Sequence, residues 1–373
     1  MKKENPLFRK LIILSIFSFS LALEARSPAT YAQLKTDLQK VSQKDLISWV
    51  NELVKVSAPS RMVGLPGHDK ARDYLQETIK KFDPKNTGKL TLAAATPDIE
   101  AIKGFYQKDF DEKIEGKFVK DGPDYQKWFK FTRHMQKMAD DRAGSKVENI
   151  IWEKTGLNPK KVLVVTAHYD TVSHDLKTLF VKEKEAMPGA NYNASGVAVA
   201  LGLIKAMAQF DLNYTVQVVL LDWQGIGFYG SYLYARELKK ADKEIIGVVN
   251  LEMLGQDTSF YDKSKKKGNM VVYLRDQSDE LKWVTKLTEH GSKMTSKVSF
   301  EIKPNGFENS DNFRFWEQGL LSTTFSQNWE DDFNYKFYQT SQDTPETLNH
   351  ETLWHAYQYV GGAVIGSLLD ITK

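Results

Sequence analysis

Polar side chains with metal-binding or catalytic chemistry follow three apolar stretches of this chain. His168 comes directly after VLVVTA, Gln224 follows VQVVLLDW and Glu252 follows IIGVVNL. In sheets of parallel strands, ligands bind at the carboxyl ends of the strands, so one crevice can collect these three residues. Histidine and glutamate are zinc ligands, whereas a glutamine amide cannot act as a proton-accepting base near neutral pH. The sequence therefore predicts a polar crevice in which these three side chains meet.

The loop between His168 and residue 188 offers a second group of metal ligands. Four of its side chains could recruit one metal ion together with His168: His174, Asp175, Glu183 and Glu185. Histidine, aspartate and glutamate are all ordinary ligands of divalent metals. A solvated, charged loop explains these four residues more simply, and both interpretations stay open at this point.

The segments around the crevice alternate between strand and helix patterns. Strands are predicted at 147–153, 162–167, 216–223, 245–253 and 270–274, and helices at 196–210, 231–240, 281–293 and 354–369. Apolar strands that alternate with helices indicate a mostly parallel central sheet with helices on both faces, which is a three-layer α/β sandwich. Towards the amino terminus, residues 30–56 and 68–81 have the apolar spacing of helices.

Residues 88–146 differ in composition from the rest of the chain. They are rich in lysine and aspartate and contain many aromatic residues. We interpret them as a mostly helical insertion within a single domain that spans 26–373. The insertion either overhangs the crevice or elaborates a solvated surface, and the sequence favours the surface slightly.

Five segments carry a family resemblance. In order and spacing they resemble the co-catalytic zinc aminopeptidases, the family of bacterial leucyl aminopeptidases and glutaminyl cyclases. The segments are KVLVVTAHYDTV (161–172), PGANYNASGVAVAL (188–201), VQVVLLDWQGIGFYGS (216–231), VVNLEMLG (248–255) and ENSDNFRFWEQGL (308–320). The resemblance covers roughly 45–87 and 147–370. It implies the zinc-aminopeptidase fold and, in active members, two zinc ions.

The resemblance places some functional residues on side chains that could still serve. The first histidine ligand falls on His168, and the carboxylate that orients it falls on Asp170. The late aspartate ligand falls on Glu252, which is one methylene longer. Asp311 is retained beside the position of the final ligand.

Four other functional positions are replaced. Tyr192 stands at the bridging aspartate, Gln224 at the general-base glutamate, Gly225 at the next ligand and Asn312 at the final histidine. His168 and Glu252 are then the remaining ligands, fewer than the three protein ligands that a catalytic zinc normally has. We therefore expect no zinc or at most one.

The interpretation that we favour is a non-catalytic homologue whose pocket binds a peptide N-terminus or a small polar ligand, or is vestigial. Its pocket would be built from five positions: His168, Tyr192, Gln224, Glu252 and Asn312. Glu252 would pair with an amine, and Trp223 and Trp329 would line the pocket. One alternative is an active aminopeptidase or amide hydrolase with a mononuclear or altered metal site. Another is a scaffold that contacts a partner protein, whose identity the sequence does not reveal.

Residues 225–230 also match the dinucleotide-binding pattern G-x-G-x-x-G. They follow a predicted strand and precede a predicted helix, as that pattern requires. The family resemblance already explains Gly227 and Gly230 as part of a G-x-x-G-S turn, and Gly225 completes the pattern because it replaces a glutamate. We do not expect a nucleotide here.

Composition and the amino-terminal segment bound the remaining possibilities. Residues 1–25 combine four basic residues with an apolar run too short to span a bilayer, which predicts a cleaved export signal and a periplasmic or secreted protein without a membrane anchor. The formal net charge of +3 gives no electrostatic footprint for nucleic acid. Because the chain contains no cysteine, disulfides, thiolate metal sites and a cysteine nucleophile are excluded.

Overall fold

An eight-stranded sheet forms the centre of the computed structural model. The structure describes residues 30–175, 177–256, 268–330, 337–369 and 371, so the predicted signal segment lies outside the described residues. The strands are β1 (Lys89–Ala95), β2 (Val147–Lys154), β3 (Asn158–His168), β4 (Tyr214–Leu221), β5 (Glu244–Leu251), β6 (Gly268–Tyr273), β7 (Val298–Lys303) and β8 (Ser322–Gln327).

The strand order is β1-β2-β4-β3-β5-β8-β6-β7. The central strands β4, β3, β5 and β8 run parallel to one another, and β6 pairs with β7 in parallel. The pairings β1–β2, β2–β4 and β6–β8 are antiparallel. The prediction of a mostly parallel sheet is confirmed.

Helices cover both faces of this sheet. They are α1 (Tyr31–Leu38), α2 (Gln43–Val56), α3 (Pro66–Phe82), α4 (Ile99–Lys113), α5 (Pro123–Asp141), α6 (Ser195–Met207), α7 (Tyr229–Lys240), α8 (Ser278–Ser292), α9 (Asn312–Trp316) and α10 (His350–Leu368). Along β3, Leu163 and Val165 face a core with α2, α6 and α10, whereas Val162 and Val164 face a core with α7 and α9. Because both faces of the strand are buried, the sequence of β3 contains a continuous apolar run.

The sequence predicted one continuous helical pattern over residues 30–56. The structure has two helices there, α1 and α2. Helix α1 ends at Leu38, and α2 begins at Gln43 with Ser42 as its N-cap. The Ser42 hydroxyl accepts a hydrogen bond from the Asp45 backbone N–H, and the Asp45 carboxylate accepts one from the Ser42 backbone N–H. This reciprocal cap stabilises a helix start.

Residues 88–146 contain an edge strand in addition to two helices. Strand β1 pairs with β2 from Lys89 opposite Glu153 to Ala95 opposite Val147. Its sequence, KLTLAAA, is rich in alanine, which is depleted in strands, so local pattern did not reveal it. Helices α4 and α5 pack on each other through aromatic side chains such as Tyr106 and Phe131. Among the described residues, no helix has the length and apolar character that a membrane span needs.

Candidate functional site

His168 and Glu252 meet at the carboxyl end of the sheet, as their positions after β3 and β5 predicted. Imidazole Nε2 of His168 lies 3.8 Å from Oε1 of Glu252. Both residues are 1% exposed, and neither of these two atoms has a hydrogen-bond partner. The pair is therefore enclosed, and its facing atoms are unsatisfied.

Asp170 holds the other side of the imidazole through its backbone rather than its carboxylate. His168 Nδ1 donates to the Asp170 carbonyl oxygen at 3.0 Å, whereas the Asp170 carboxylate lies 3.7 Å from Nδ1. That carboxylate accepts hydrogen bonds from the backbone N–H groups of Gln224 and Gly225, each at 3.0 Å. Burial alone would lower the pKa of His168, but interactions with Asp170 and Glu252 raise that pKa to about 10. The imidazolium thus acts as a counterion to buried carboxylates.

A chain of hydrogen bonds fixes the carboxylate of Glu252. Ser310 Oγ donates to Glu252 Oε2. Asn250 Nδ2 donates to Ser310 Oγ at 2.7 Å, and Thr166 Oγ1 donates to Asn250 Oδ1 at 2.8 Å. These residues come from β3, β5 and the segment before α9, so the sheet itself sets the position of the carboxylate.

Tyr192 occupies the centre of the site. Its hydroxyl donates to Gln224 Oε1, and its ring lies 4.8 Å from the His168 ring and 5.0 Å from the Tyr338 ring, measured between centroids. Burial raises the pKa of Tyr192 well above its ordinary value, so the phenol is neutral. Val172, Met187 and Met253 pack around it in one apolar cluster.

The loop that carries Tyr192 is anchored by two buried charged residues. Asp343 accepts hydrogen bonds from the backbone N–H groups of Asn191 and Tyr192, each at 2.9 Å. Arg61 donates to the carbonyl oxygens of Tyr169, Pro188 and Gly189 at 2.6–2.8 Å. Burial raises the pKa of Asp343 to about 6 and lowers that of Arg61 to about 10. The pair fixes the backbone from Pro188 to Tyr192, the predicted bridging position.

Gly225 has no room for a side chain. A Cβ atom added there would lie 2.1 Å from Cγ1 of Val172. Real Cβ contacts essentially never come this close, so Val172 would have to move before residue 225 could carry a carboxylate. The volume that a ligand at this position would use is filled by valine.

Asp311 and Asn312 lie at the start of α9. The Ser231 hydroxyl donates to Asp311 Oδ1, while Oδ2 has no partner, and burial raises the pKa of Asp311 to about 7. Asn312 Nδ2 donates to the Phe307 carbonyl oxygen at 3.1 Å, and its Oδ1 has no partner. Both residues are fully buried.

A cavity of about 960 Å³ lies next to Tyr192 and Gln224. Of the five positions that the sequence assigned to the pocket, only Tyr192 and Gln224 line it. His168, Glu252 and Asn312 lie outside its lining and are at most 1% exposed. The expectation that Glu252 faces a ligand amine is therefore wrong for this conformation, because Glu252 is enclosed and does not reach the cavity.

The remaining cavity wall was largely missed from the sequence. Helices α4 and α5 line one side, so the insertion overhangs the site and is not a free surface elaboration. The further lining residues include aromatic and charged side chains, and they are Phe105, Tyr106, Lys108, Asp109, Glu112, Lys113, Trp128, Phe131, Met135, His174, Leu179, Gly225, Phe228, Arg275, Gly306, Phe307, Glu308, Asn309, Phe313, Trp316, Glu317, Tyr338 and Gln339. The aromatic content of 88–146 was the sequence feature that could have indicated that the insertion lines the cavity.

The two tryptophans that we expected in the pocket do not line it. Trp223 is fully buried, packs with Met62 and Ile226, and donates from its indole nitrogen to the Lys146 carbonyl oxygen. Trp329 packs edge-on against Tyr338 with ring centroids 5.2 Å apart. Trp223 belongs to the core under the insertion, and Trp329 supports Tyr338.

The alternative metal site in the loop after His168 is not assembled. Glu183 pairs with Arg142 at 2.8 Å, and Glu185 pairs with Lys182 at 3.0 Å. Asp175 accepts hydrogen bonds from the backbone of its own turn, and His174 Nδ1 contacts Gln339 Oε1 at 2.5 Å. Across the described parts of the chain, no group of three or more His, Asp or Glu side chains is arranged to hold a metal ion.

The glycine-rich turn at 225–230 also packs against neighbouring side chains. A Cβ on Gly227 would lie 3.4 Å from both Ile102 and Phe105 of α4. Its carbonyl oxygen accepts a hydrogen bond from Arg314. The turn therefore abuts the insertion, which leaves no open cradle for a pyrophosphate.

The residues present do not fit a pair of zinc ions. A bridging ligand must be an anion, but Tyr192 is a neutral phenol bonded to Gln224. Gly225 supplies no ligand atom, and Asn312 offers a neutral amide oxygen, which suits Mg²⁺ or Ca²⁺ better than zinc. His168 and Glu252 remain, and a zinc site normally needs at least one more protein ligand.

The described residues thus form a three-layer α/β sandwich with a polar crevice at the carboxyl ends of its central strands. The sequence profile of peptidase family M28 matches residues 149–364, more than half of the chain. The chain belongs to this family.

Sequence relatives include aminopeptidase YwaD of Bacillus subtilis, which is 27% identical over 228 residues that cover 58% of this chain and 44% of that protein. A protein described as a probable zinc metalloprotease of Pyrenophora tritici-repentis is 32% identical over 113 residues, or 30% of this chain and 23% of that protein. The chain thus spans less than half the length of these two curated relatives.

Solved structures share the fold at low identity. The LapA aminopeptidase of Legionella pneumophila aligns with a TM-score of 0.65 and 13% identity, covering 93% of this chain and 77% of that one. The glutaminyl cyclase of Porphyromonas gingivalis aligns with a TM-score of 0.58 and 17% identity, covering 88% and 98%. The fold expected from the sequence is confirmed.

Proposed function

We propose that this protein is a family M28 member that binds the amino-terminal end of a peptide without hydrolysing it. The observation that supports this most directly is the hydrogen bond from the Tyr192 hydroxyl to Gln224 Oε1. It joins the predicted positions of the bridging ligand and the general base, so each uses its polar group on the other. Neither position then supplies a metal ligand or a base.

The cavity supports a binding role over a vestigial one. Its volume of about 960 Å³ is at the upper end of the range for small-molecule sites and suits a few residues of peptide. The Gln224 and Gln339 side chains and the His174 ring supply polar groups at the lining. The rest of the lining is mainly aromatic and charged side chains, among them the carboxylates of Asp109, Glu112 and Glu308, so it offers apolar surface and partners for a peptide amine.

Backbone strain around the site also supports a binding role. Trp223 and Phe228 flank Gln224, Met253 follows Glu252, and Gln339 follows Tyr338, and all four have positive φ between 51° and 54°. Non-glycine residues in this region cost roughly 1–3 kcal/mol each and tend to cluster at functional sites. Such strain supports a retained role for the crevice.

Metal content tests the non-catalytic part of the proposal. The protein is purified in excess zinc, dialysed and analysed by elemental mass spectrometry. We expect less than about a tenth of an equivalent, because a catalytic zinc normally needs three protein ligands. One firmly held equivalent that is lost in His168→Ala, together with release of an amino-terminal residue from a peptide, would overturn the proposal.

Peptide binding tests the other part. A tripeptide with a free amino terminus should raise the melting temperature at millimolar concentration, whereas its acetylated counterpart should raise it less. If neither peptide changes the melting temperature and neither gives a calorimetric signal, the binding role fails.

A mononuclear hydrolase is the second candidate. The facing atoms of His168 and Glu252 are both unpartnered and lie 3.8 Å apart, a disposition that two ligands of one metal would share. The third protein ligand would have to come from a rearranged Asp311 or Asn312. The zinc measurement above separates this candidate from the first.

We further propose that the protein is exported. The basic start and short apolar run within residues 1–25 support a cleaved signal. Mass determination of the protein from separated cell fractions tests this, and a full-length chain that stays with the cytoplasmic fraction would contradict it.

A further inference from the structure

The loop that carries His174 lies against helix α5 in the cavity wall. Its described residues are 173–175 and 177–182, and we call it the His174 loop. His174 and Leu179 line the cavity, and Phe131 of α5 lines it as well. The contact between the loop and α5 therefore determines how closed this part of the wall is.

Hydrogen bonds within the His174 loop fold it as a short hairpin. The Asp175 backbone N–H donates to the Phe180 carbonyl oxygen, and the Lys182 backbone N–H donates to the Ser173 carbonyl oxygen, each at 2.8 Å. Because these bonds are internal, the loop can separate from α5 without losing them. The backbone N–H of His174 donates to the Gln339 carbonyl oxygen at 3.0 Å and keeps the start of the loop attached.

His134 of α5 holds the other strand of this hairpin. The Val181 backbone N–H donates to His134 Nε2 at 2.9 Å. The Phe180 ring stacks on the imidazole with centroids 4.6 Å apart and planes 13° apart. An imidazole nitrogen accepts a hydrogen bond only when it carries no proton, so this contact requires neutral His134 with its proton on Nδ1.

We propose that His134 is a positioning residue whose protonation releases the His174 loop from α5 and opens the cavity wall between them. Both nitrogens of a protonated imidazole are donors. The ring would then direct an N–H group at the N–H group of Val181, and the hydrogen bond would be lost. The inference goes beyond the proposed function, because it concerns access to the cavity and holds for any ligand.

Charged groups around His134 influence the pH at which release occurs. Burial has the largest effect and lowers the pKa of His134. The carboxylates of Glu183 and Asp141 raise this pKa and Lys137 lowers it, and the net shift is downward. His174 also interacts electrostatically with His134. Since the closed state has the lowered pKa, protons favour the open state as the pH falls below about 6.5, the ordinary histidine value.

Apolar packing contributes to the same contact and does not titrate. Val181 is 8% exposed and belongs to one apolar cluster with Met135 and Met138 of α5. This packing stabilises the closed loop at every pH. Protonation of His134 therefore shifts the balance between closed and open loops and leaves the rest of the fold in place.

Hydrogen–deuterium exchange of the Val181 amide tests the inference, because this amide makes the bond to His134. Exchange is measured between pH 8 and pH 5 and divided by the intrinsic rate at each pH, which gives a protection factor. We expect the protection factor to fall about fivefold, the size expected for one lost hydrogen bond. The Asp175 and Lys182 amides should stay protected, since their bonds lie within the hairpin.

His134→Gln is the decisive variant. A glutamine amide oxygen can accept from the Val181 N–H and does not titrate in this range, so protection of Val181 should not change with pH. His355→Gln is the matched control. His355 lies on α10 and contacts Thr295, and its replacement should keep the wild-type response.

Constant protection of Val181 in the wild type would overturn the inference. So would a fall in acid that persists in folded His134→Gln, because another group, His174 or Glu183, would then be titrating. If His134→Gln fails to fold, His134→Phe keeps an aromatic ring but accepts no hydrogen bond. Val181 should then be weakly protected at both pH values, and a pH-dependent protection in this variant would equally refute the role of His134.

Discussion

Val172 occupies the space that a side chain on residue 225 would need. Its Cγ1 atom lies 2.1 Å from the position of a Cβ on Gly225. Glycine at 225 and valine at 172 are thus complementary, and a metal ligand at 225 would require Val172 to shift.

Gly225→Ala should destabilise the protein by roughly 1–3 kcal/mol, because the added methyl group overpacks the site. Val172→Ala should relieve most of this cost, since it removes the closest atom. A double-mutant cycle from urea unfolding measures the coupling. Gly144→Ala is the control, because a Cβ there meets nothing within 4 Å. Additive effects of the two substitutions would contradict the clash.

Tyr192→Phe should cost about 1–3 kcal/mol of folding stability. It removes the hydroxyl that donates to Gln224 Oε1, and the buried amide oxygen loses its donor. Tyr192→Phe combined with Gln224→Met should recover part of the loss, because both polar groups are then absent. Chemical denaturation of the single and double variants provides the comparison, and a neutral Tyr192→Phe would show that the bond contributes little.

Arg61→Lys should destabilise the protein by about 2–4 kcal/mol, although the charge is kept. The guanidinium makes hydrogen bonds to three carbonyl groups in the loops around Tyr192, and an ammonium on a flexible stem cannot match that geometry. Unfolding midpoints measure the effect. Lys80→Arg on the exposed face of α3 is a control for the general exchange of lysine and arginine, and equal behaviour of the two variants would refute the prediction.

The buried pair His68–Asp222 should make stability depend on pH. His68 Nε2 lies 2.8 Å from Asp222 Oδ1. Burial alone would lower the pKa of His68, but Asp222, Asp170 and Asp69 raise it above its ordinary value. A raised pKa means that the folded state binds the proton more tightly than the unfolded state. The pair's contribution is full below the unfolded pKa of about 6.5 and is lost as pH rises through the folded pKa.

His68→Gln should lack this component. The stability difference between the wild type and His68→Gln should therefore be larger at pH 6 than at pH 9, as measured by urea unfolding at both values. A difference that is constant, or that grows with pH, would show that the histidine is neutral in the folded protein.

The sheet and the placement of His168 and Glu252 were predictable because they depend on local pattern. Apolar runs such as 162–167 define buried strands, and the residue after each run falls at the carboxyl end of the sheet. Strand β1 was not predictable in this way, because its alanine-rich sequence has weak strand preference and it forms by pairing with β2. The prediction of helical structure for 88–146 was therefore incomplete.

The enclosure of the site could not be predicted because it depends on long-range contacts. Tyr338 packs on Tyr192, and the insertion reaches the cavity through α4 and α5. Residue identities indicated which ligands were replaced. They did not indicate that the replacements would contact one another and separate His168 and Glu252 from the cavity.

The guanidinium of Arg314 lies 4.1 Å from the centroid of the Phe105 ring, and this contact has a consequence for how the chain folds. The two residues are far apart in sequence, so α4 cannot complete its contact with the core until α9 has been synthesised and docked. Until then the part of Phe105 that Phe313 and Arg314 cover stays in water, and exposed apolar surface of this kind promotes aggregation of folding intermediates. A residue that lines the cavity in the finished protein is thus exposed aromatic surface during biogenesis.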